Sequence, residues 1–319
     1  MLISTATVAT STGYDGNTSF GPISHSWLKP DLIRKPGNTG FARILFVHAK
    51  FPAMKSHAFC IFSLACLATP PGFSTSLDFS LAADIRYFDY EEFGSSGQSL
   101  NDETGFIPGF SIAAGTSSFG LGHTLEFGLW GGAVDYDGRT QSGQPHQTKT
   151  DETIYRLLYR ADWQPRNIGA SLYAKACWQN WDRDIRPANG VSGLFERYQW
   201  WTIEAGLRAT LWQLPKRNLA FELGLLNTNH GTIMIDLSGD GYGKPTLNLG
   251  DGHGAMVSLA YTIESAGNNR LQFAIDYTRW NFGRSNSMAV SNGASTIVIT
   301  EPDSTSNHIT LSAGYNFRF

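Results

Sequence analysis

Side chains in the last stretch of the chain alternate strictly in polarity. Ile309, Leu311, Ala313, Tyr315, Phe317 and Phe319 occupy one parity, whereas Thr310, Ser312, Gly314, Asn316 and Arg318 occupy the other. Because successive side chains of a β-strand point to opposite faces, this pattern predicts a strand with one apolar and one polar face. The same alternation recurs from Leu77 onward without an amphipathic helical period. An all-β fold is therefore predicted for residues 77–319.

Ten such strands are predicted. They begin near Leu77, Phe110, His123, Tyr155, Ile168, Thr202, Leu219, Val257, Leu271 and Ile309. Connections after the even-numbered strands are short, whereas those after the odd-numbered strands are long and polar, at about 91–107, 137–151, 182–197, 229–253 and 283–306. This asymmetry is typical of antiparallel barrels in bacterial outer membranes. We therefore predict a closed transmembrane β-barrel of about ten strands, with long outer loops, short periplasmic turns and both barrel termini in the periplasm.

The composition agrees with strands that separate lipid from a polar interior. Only 16% of the residues are charged, against about 25% in an average soluble domain, and aromatic residues reach 13%. The formal net charge of -3 offers no basic surface of the kind that nucleic acid requires. Nucleic acid is therefore excluded as an expected partner.

A secretory signal is predicted inside the chain. Met54 begins a short basic segment, the run from Ala58 to Ala68 is apolar, and a Pro-containing break precedes small residues up to Ser76. A helix needs about 20 apolar residues to cross a bilayer, so this run is too short to be a transmembrane helix. The predicted organisation is an unstructured or wrongly assigned upstream segment at 1–53, a signal peptide at 54–76 and a barrel at 77–319. A lipoprotein signal at Cys66 is disfavoured because Ser63 stands where Leu is usual.

The inward parity of the predicted strands carries charges of both signs. Because unpaired buried charge is costly, mixed signs facing one another across a lumen predict a network of ion pairs. The predicted network comprises Asp84, Arg86, Glu126, Arg156, Arg160, Lys175, Glu204, Arg208, Glu222 and Asp276. A ten-stranded barrel is only slightly wider than the eight-stranded barrels whose interiors side chains fill. A general diffusion pore is therefore disfavoured, while a narrow channel remains an alternative.

The C-terminal residues Gly314 to Phe319 (GYNFRF) end on an aromatic residue with alternating apolar partners. This ending resembles the assembly signal of bacterial outer-membrane barrels. The resemblance implies the barrel-assembly machinery, outer-membrane lipid and lipopolysaccharide as partners. Ten strands with five long outer loops are also similar to the omptin proteases and the Opc-type adhesins.

Omptin catalysis provides a test of the first resemblance. Omptins use two aspartates spaced i, i+2 in the second outer loop and an Asp-x-His pair in the fourth. Asp135 and Asp137 match the first pair in spacing and place, and His230 lies in the predicted fourth loop. Thr228 stands where the orienting aspartate is expected, and a histidine base without that carboxylate loses tautomer control. An omptin-like protease is therefore kept as an alternative only.

Residues near the predicted rims are the candidates for ligand contact. They are Trp181, Asp182, Arg183, Tyr198, Trp200, Trp280 and Arg284, which alternatively serve as interfacial anchors. The histidines show no metal-binding spacing, and no metal or other cofactor is predicted. Asp236, Asp240 and Asp251 lie in the Gly-rich fourth loop, where a solvated flexible turn is favoured over a calcium site.

The sequence thus favours a non-enzymatic surface protein, adhesin-like in character, whose outer loops bind lipopolysaccharide, a host surface or a small ligand. The barrel is expected to act as a rigid scaffold for those loops. An omptin-like protease and a narrow channel are the alternative functions.

Overall fold

A computed structural model describes residues 76–140, 143–165 and 169–319. Strands dominate this part of the chain, and they form a closed antiparallel barrel of ten strands. The predicted fold class is therefore confirmed. The predicted upstream segment 1–53 and nearly all of the predicted signal peptide 54–76 lie outside the described residues. No helix in the described part is long and apolar enough to cross a bilayer.

Thirteen strands are present in the described residues, and ten of them form the barrel wall. The wall strands are β1 (Ser76–Phe93), β2 (Ser99–Ser118), β3 (Leu121–Arg139), β4 (Pro145–Trp163), β5 (Ala170–Ile185), β6 (Leu194–Leu214), β7 (Arg217–Asp236), β9 (Gly252–Glu264), β10 (Arg270–Phe282) and β13 (Asp303–Arg318). Three shorter strands, β8 (Thr246–Asn248), β11 (Met288–Ser291) and β12 (Thr296–Ile299), lie in the two longest connections.

Each wall strand pairs with two antiparallel neighbours. Consecutive wall strands pair along the chain, and β1 pairs with β13 from Asp78↔Arg318 to Phe93↔Asp303, which closes the ring. Closure gives every wall strand a partner on both sides, as a bilayer requires of spanning β-structure. We call the end that holds Ser76 and Arg318 the terminal end, and the opposite end the loop end.

An apolar belt surrounds the barrel near the terminal end. It consists of outward side chains that are exposed although they are large and hydrophobic. Examples are Leu81 (51% exposed), Leu172 (52%), Ile203 (51%) and Leu311 (50%). Soluble proteins rarely expose so continuous an apolar surface, whereas lipid accepts it. Most of the inward side chains at the same level are polar or charged, in agreement with the alternation in the sequence.

Polarity inverts along the strands toward the loop end. In β1 the outward Leu81 and Ile85 are exposed, whereas further along the strand the inward Phe88 and Tyr90 are each only 1% exposed. The outward positions beyond the belt carry charges such as Glu91. The upper part of the barrel therefore has an apolar interior and a polar exterior, as a soluble protein does.

This loop-end core is formed by inward residues from most of the wall. Its fully or nearly fully buried members include Phe88, Ile107, Trp130, Val134, Ile154, Trp181, Ile185, Tyr198, Trp200, Ile233 and Ile235. The short strands complete it, since Leu247 of β8 and Ile299 of β12 are both 0% exposed. The two long connections thus fold over the barrel and close its core from above.

Strands extend into all five segments that the sequence predicted as long loops. For example, β1 and β2 leave only 94–98 between them, and β5 and β6 leave only 186–193. The prediction placed the strand ends where the outward apolar residues stop. That criterion fails because the strands continue through water, where the apolar residues move to the inward parity.

Candidate functional site

A polar cavity of about 320 Å³ occupies the lumen at the level of the apolar belt. All ten residues of the predicted ion-pair network line it. The prediction that all ten form ion pairs is corrected, because Asp84, Arg86 and Asp276 form none within the described residues. Small-molecule sites in proteins usually measure about 300–1,000 Å³, so the cavity is large enough for a small solute and too small for a wide channel. Its lining extends toward the terminal end as far as Ser80, Gln272 and Asn316.

Ion pairs cover the side of the lumen formed by β3 to β7. Arg156 Nη2 lies 2.5 Å from Glu126, Arg160 Nη1 lies 2.8 Å from Glu222, and Lys175 Nζ lies 2.9 Å from Glu204. Arg160 also binds Asp162 at 2.7 Å, while Arg208 reaches Glu222 at 3.4 Å. Glycines at inward positions make room for this network, because a Cβ at Gly224 would collide with the hydroxyl of Tyr173 and the carboxylate of Glu204. Tyr173 donates a 2.7 Å hydrogen bond to that carboxylate.

Trp130 lines the cavity at its end nearer the loop-end core. The guanidinium carbons of Arg86 and Arg156 lie 4.1 and 4.7 Å from its ring centroids, within cation–π range. Its indole ring lies against two glycines, because a Cβ at Gly109 or Gly128 would collide with it. Trp130 therefore marks the boundary between the polar lumen and the loop-end core.

An aromatic layer crosses the whole barrel directly above the cavity. Phe88 of β1 contacts Trp181 of β5 with ring centroids 5.5 Å apart, Trp181 contacts Trp200 at 6.4 Å, and Trp200 contacts Phe282 of β10 at 5.4 Å. Trp280 stacks on Phe282 at 5.7 Å. Because these rings come from opposite sides of the wall and touch, they close the described lumen toward the loop end.

A buried acidic cluster lies within the loop-end core around Arg183. Arg183 is 0% exposed, and its guanidinium lies 2.6 Å from Glu196, 2.9 Å from Glu103 and 3.1 Å from Glu92. Tyr198 donates to Glu301 at 2.7 Å and Trp181 donates to Glu152, which brings two further carboxylates to the cluster. The alternation in the sequence does not group these glutamates, because they come from five different segments of the chain.

Burial perturbs the carboxyl groups of this cluster, which lies beyond the apolar belt. Burial raises the pKa of Glu196 to about 7, although Arg183 opposes the shift. Burial also raises the pKa of Glu301 and, together with the nearby Glu103, that of Glu152 well above their usual range. Arg183 therefore neutralises some of these acids, while others retain their protons.

The predicted contact residues at the rim are mostly inside the protein. Trp181, Arg183, Tyr198, Trp200 and Trp280 are each at most 7% exposed, so they are unavailable to an external partner. The expectation that they form a contact surface is corrected by this burial, which follows from the inversion of polarity above the belt. Asp182 faces outward and pairs with Arg197 at 2.7 Å, and Arg284 pairs with Asp303 at 3.4 Å.

The residues of the protease alternative do not share a cleft. Asp135 is exposed on the outer face of β3 and pairs with Lys149 at 2.6 Å, while Asp137 accepts a 2.9 Å hydrogen bond from Gln147. Tyr136 between them points inward and is 4% exposed. His230 is exposed at a bulge in β7. Since the two aspartates point away from the lumen and the loop-end core fills the space behind them, they do not face His230.

Asp236, one of the aspartates of the predicted fourth loop, is held by neighbouring side chains. Asp236 ends β7 and pairs with Lys244 at 2.6 Å, and Ser238 donates backbone and side-chain hydrogen bonds to it. No group of three or more metal-binding side chains in the described residues is arranged to hold an ion. Leu247 of the same connection is fully buried, so this segment is a folded cap rather than the flexible turn that its glycines suggested.

Comparison with solved structures places the fold among outer-membrane barrels. The outer membrane protease OmpT from Escherichia coli superposes with a TM-score of 0.52 at 11% identity, covering 77% of this chain and 98% of OmpT. The β domain of the Bordetella autotransporter BrkA gives 0.38 at 14% identity (76% and 99%), and neisserial surface protein A gives 0.29 at 13% (76% and 97%). No protein-family model and no curated protein matches the sequence.

The likeness to OmpT concerns the fold alone, since only 11% of the aligned residues are identical. Both chains are closed ten-stranded barrels. Because barrels of this kind carry different functions, the function has to be argued from the residues of this chain.

Proposed function

We propose that the protein is a non-enzymatic surface barrel of a bacterial outer membrane, with its loop end outside the cell and both barrel termini in the periplasm. The loop end then serves as a rigid platform that binds at the cell surface. The observation that carries the proposal is the inversion of polarity along the wall strands. Strands that pass from lipid into water, and there enclose an apolar core behind a polar wall, form a stable projection from a membrane.

The polar wall is the surface that this proposal assigns to partners. On β1 to β3 it is acidic, with Asp89, Glu91, Asp102, Asp135 and Asp137 at outward positions. Burial, together with Asp137 and Glu91, raises the pKa of Asp102, in keeping with a local excess of negative charge. Such a wall favours a cationic or neutral partner, while lipopolysaccharide surrounds the apolar belt below it.

The two alternative functions receive less support. A narrow channel requires a path through the aromatic layer and the buried acidic cluster, whose side chains meet across the barrel. A protease of the omptin type requires the aspartate pair to face the histidine, and Asp135 and Asp137 face outward instead. A surface barrel requires neither an open path through the core nor an aspartate pair that faces the histidine.

Cysteine labelling on intact cells tests the location and the orientation. Asn292→Cys lies in the exposed turn between β11 and β12 at the loop end, and Asn268→Cys lies in the short turn between β9 and β10 at the terminal end. With Cys177 replaced by Ser, a membrane-impermeant maleimide should label the first variant on intact cells and the second only after the outer membrane is permeabilised. The reverse result would overturn the proposed orientation.

Two assays on the purified, refolded barrel address the alternatives. Planar bilayers should give no discrete conductance steps, and a dibasic peptide with added lipopolysaccharide should remain uncleaved. Discrete conductance would establish a channel instead. Cleavage that disappears in Asp137→Ala or His230→Ala would establish a protease.

A further inference from the structure

The two sides of the lumen cavity differ in how their charges are satisfied. On the side formed by β3 to β7, every charged residue that lines the cavity takes part in an ion pair with a lumen residue. The opposite side, formed by β1, β13 and β10, carries three charged residues that line the cavity: Asp84, Arg86 and Asp276. We call this opposite side the open wall.

Arg86 is the cation of the open wall. It is 5% exposed, and no carboxylate of the described residues lies within ion-pair distance of its guanidinium. Its Nε donates to Thr310 Oγ1 at 3.3 Å, and the plane of the guanidinium contacts Trp130. The two terminal nitrogens donate no hydrogen bond within the described protein, although an arginine presents five donors.

Two carboxylates lie on the same wall. Asp84 is 8% exposed, shares the inward parity of Arg86 two residues away, and likewise has no ion pair within the described residues. Asp276 stands beside Thr310 of β13 and Ser258 of β9 in the register of the sheet. The open wall therefore offers one guanidinium edge, two carboxylates and several hydroxyls to the cavity.

Buried charges without protein partners are costly unless something in the cavity satisfies them. A guanidinium edge binds a carboxylate in a bidentate fashion, and a carboxylate accepts hydrogen bonds from an ammonium group. The charges of the opposite wall are already committed to each other. Any selectivity of the cavity therefore comes from the open wall.

We infer that the lumen cavity binds a small zwitterion that carries a carboxylate and an ammonium group. Arg86 receives the carboxylate, and Asp84 with Asp276 receives the ammonium. The aromatic layer closes the cavity toward the loop end, so the ligand enters from the terminal end. This site is separate from the outer wall assigned to surface partners and does not depend on that assignment.

Cys177 provides a reporter inside the cavity. It lines the cavity on β5 and is the free thiol of the described residues. In the full chain with Cys60→Ser and Cys66→Ser, a small methanethiosulfonate reagent should modify Cys177 at a measurable rate. A ligand that fills the cavity should slow that reaction.

Three probes of matched length separate the charge requirements. They are 4-aminobutanoate, which is a zwitterion, butanoate, which is an anion, and butylamine, which is a cation. Protection of Cys177 by 4-aminobutanoate should require at least tenfold lower concentration than protection by either of the others. Isothermal titration calorimetry with the same probes gives a second measurement that does not depend on the thiol.

Variants of the open wall assign the two ends of the ligand. Arg86→Gln should abolish the advantage of 4-aminobutanoate over butylamine, and Asp84→Asn should abolish its advantage over butanoate. Arg186→Gln, on the outer wall, removes a guanidinium of the same size and should leave all three values unchanged. Each variant is first checked for the faster migration of a folded barrel on unheated SDS gels.

Several results would overturn the inference. Equal effects of the three probes, or a binding heat that is absent for 4-aminobutanoate, would mean that the cavity holds only water and buffer ions. Wild-type selectivity in a folded Arg86→Gln or Asp84→Asn variant would also refute the assignment of that residue. Preferential binding of butanoate would identify an anion site instead.

Discussion

Arg183 shows how one residue organises the loop-end core. Its guanidinium contacts Glu92, Glu103 and Glu196 in a region where it is itself 0% exposed. A buried ion pair is stable only when good geometry and further hydrogen bonds offset the loss of hydration. Tyr198 supplies such a bond by accepting from Arg183 at 2.9 Å and donating to Glu301.

The stability of the loop-end core should decrease as the pH rises. Glu196 has an ordinary pKa of 4.5, and burial raises it to about 7 in the folded chain. Between these values the folded state holds a proton that the unfolded state has released, so the stabilising effect is complete below pH 4.5 and is lost as the pH passes 7. Full titration corresponds to roughly 3 kcal/mol.

Urea unfolding of the refolded barrel, followed by tryptophan fluorescence at pH 5 and pH 8, measures this dependence. The midpoint should be higher at pH 5, and Glu196→Gln should reduce the difference between the two pH values. Asp135→Asn, an acid-to-amide change on the outer wall, should leave that difference unchanged. An unaltered difference in Glu196→Gln would show that Glu196 does not carry this proton.

A single wall strand faces lipid along one part of its length and water along another. The outward parity of β13 is apolar at Leu311 and polar at Thr305, although both belong to one continuous strand. Hydrogen bonding to β1 and β10 continues past both positions, so the backbone is the same in the apolar and the polar part of the strand. The polarity of the side chains alone therefore marks the boundary of the membrane.

A charge placed on β13 should locate that boundary. Leu311→Arg puts a guanidinium into the apolar belt and should destabilise the barrel by about 2–4 kcal/mol. Thr305→Arg makes the same addition to the same face of the same strand above the belt, and its effect should stay within about 0.5 kcal/mol. Unfolding free energies in lipid vesicles measure both. Similar losses for the two variants would contradict the assigned boundary.

The course of each strand through the belt decides which predictions from the sequence succeeded. Alternation of apolar and polar residues located the ten wall strands, because each crosses the belt with its apolar parity outward. It failed beyond the belt, where residues such as Phe88 and Trp181 occupy the opposite parity. Five of the seven predicted rim residues are buried for the same reason, because inward side chains at the end of an alternating run face the loop-end core and not an interface.

Closure is the property of the whole molecule on which the strands depend. The seam between β1 and β13 joins the first and last described strands over their full length. A sheet with two free edges in lipid leaves backbone groups unpaired at several kcal/mol each. The barrel is therefore expected to form cooperatively or not at all.

Truncation at the seam tests this dependence. A chain that ends at Pro302 lacks β13 and should lose the heat-modifiable migration on SDS gels that a folded barrel displays. Replacing residues 288–299, the β11 and β12 hairpin, with a short Gly-Ser linker also removes strand residues but leaves the seam intact. That control should still migrate as a folded barrel, at a lower unfolding temperature because Ile299 is lost from the core. Folded migration of the chain without β13 would refute the role of the seam.

The whole molecule also separates two regions with different chemistry. The loop-end core is largely apolar, and its buried acids are paired with Arg183 or keep their protons. The lumen below is polar, and Arg86 on its open wall forms no ion pair with the described residues. The aromatic layer between them allows each region to be tested by its own variants.

The sequence by itself determined the class of the fold, because alternation at every second residue leaves lipid on one face and a polar lumen on the other. Parity also assigned ten charged residues to the inward face, and these ten line the cavity. Only the tertiary structure decided which of those charges meet. Pairing across a lumen depends on strand register and tilt, which bring Arg160 to Glu222 and leave Arg86 without a carboxylate partner among the described residues. The tertiary structure also creates the buried acidic cluster, because its five glutamates become neighbours only when the barrel closes.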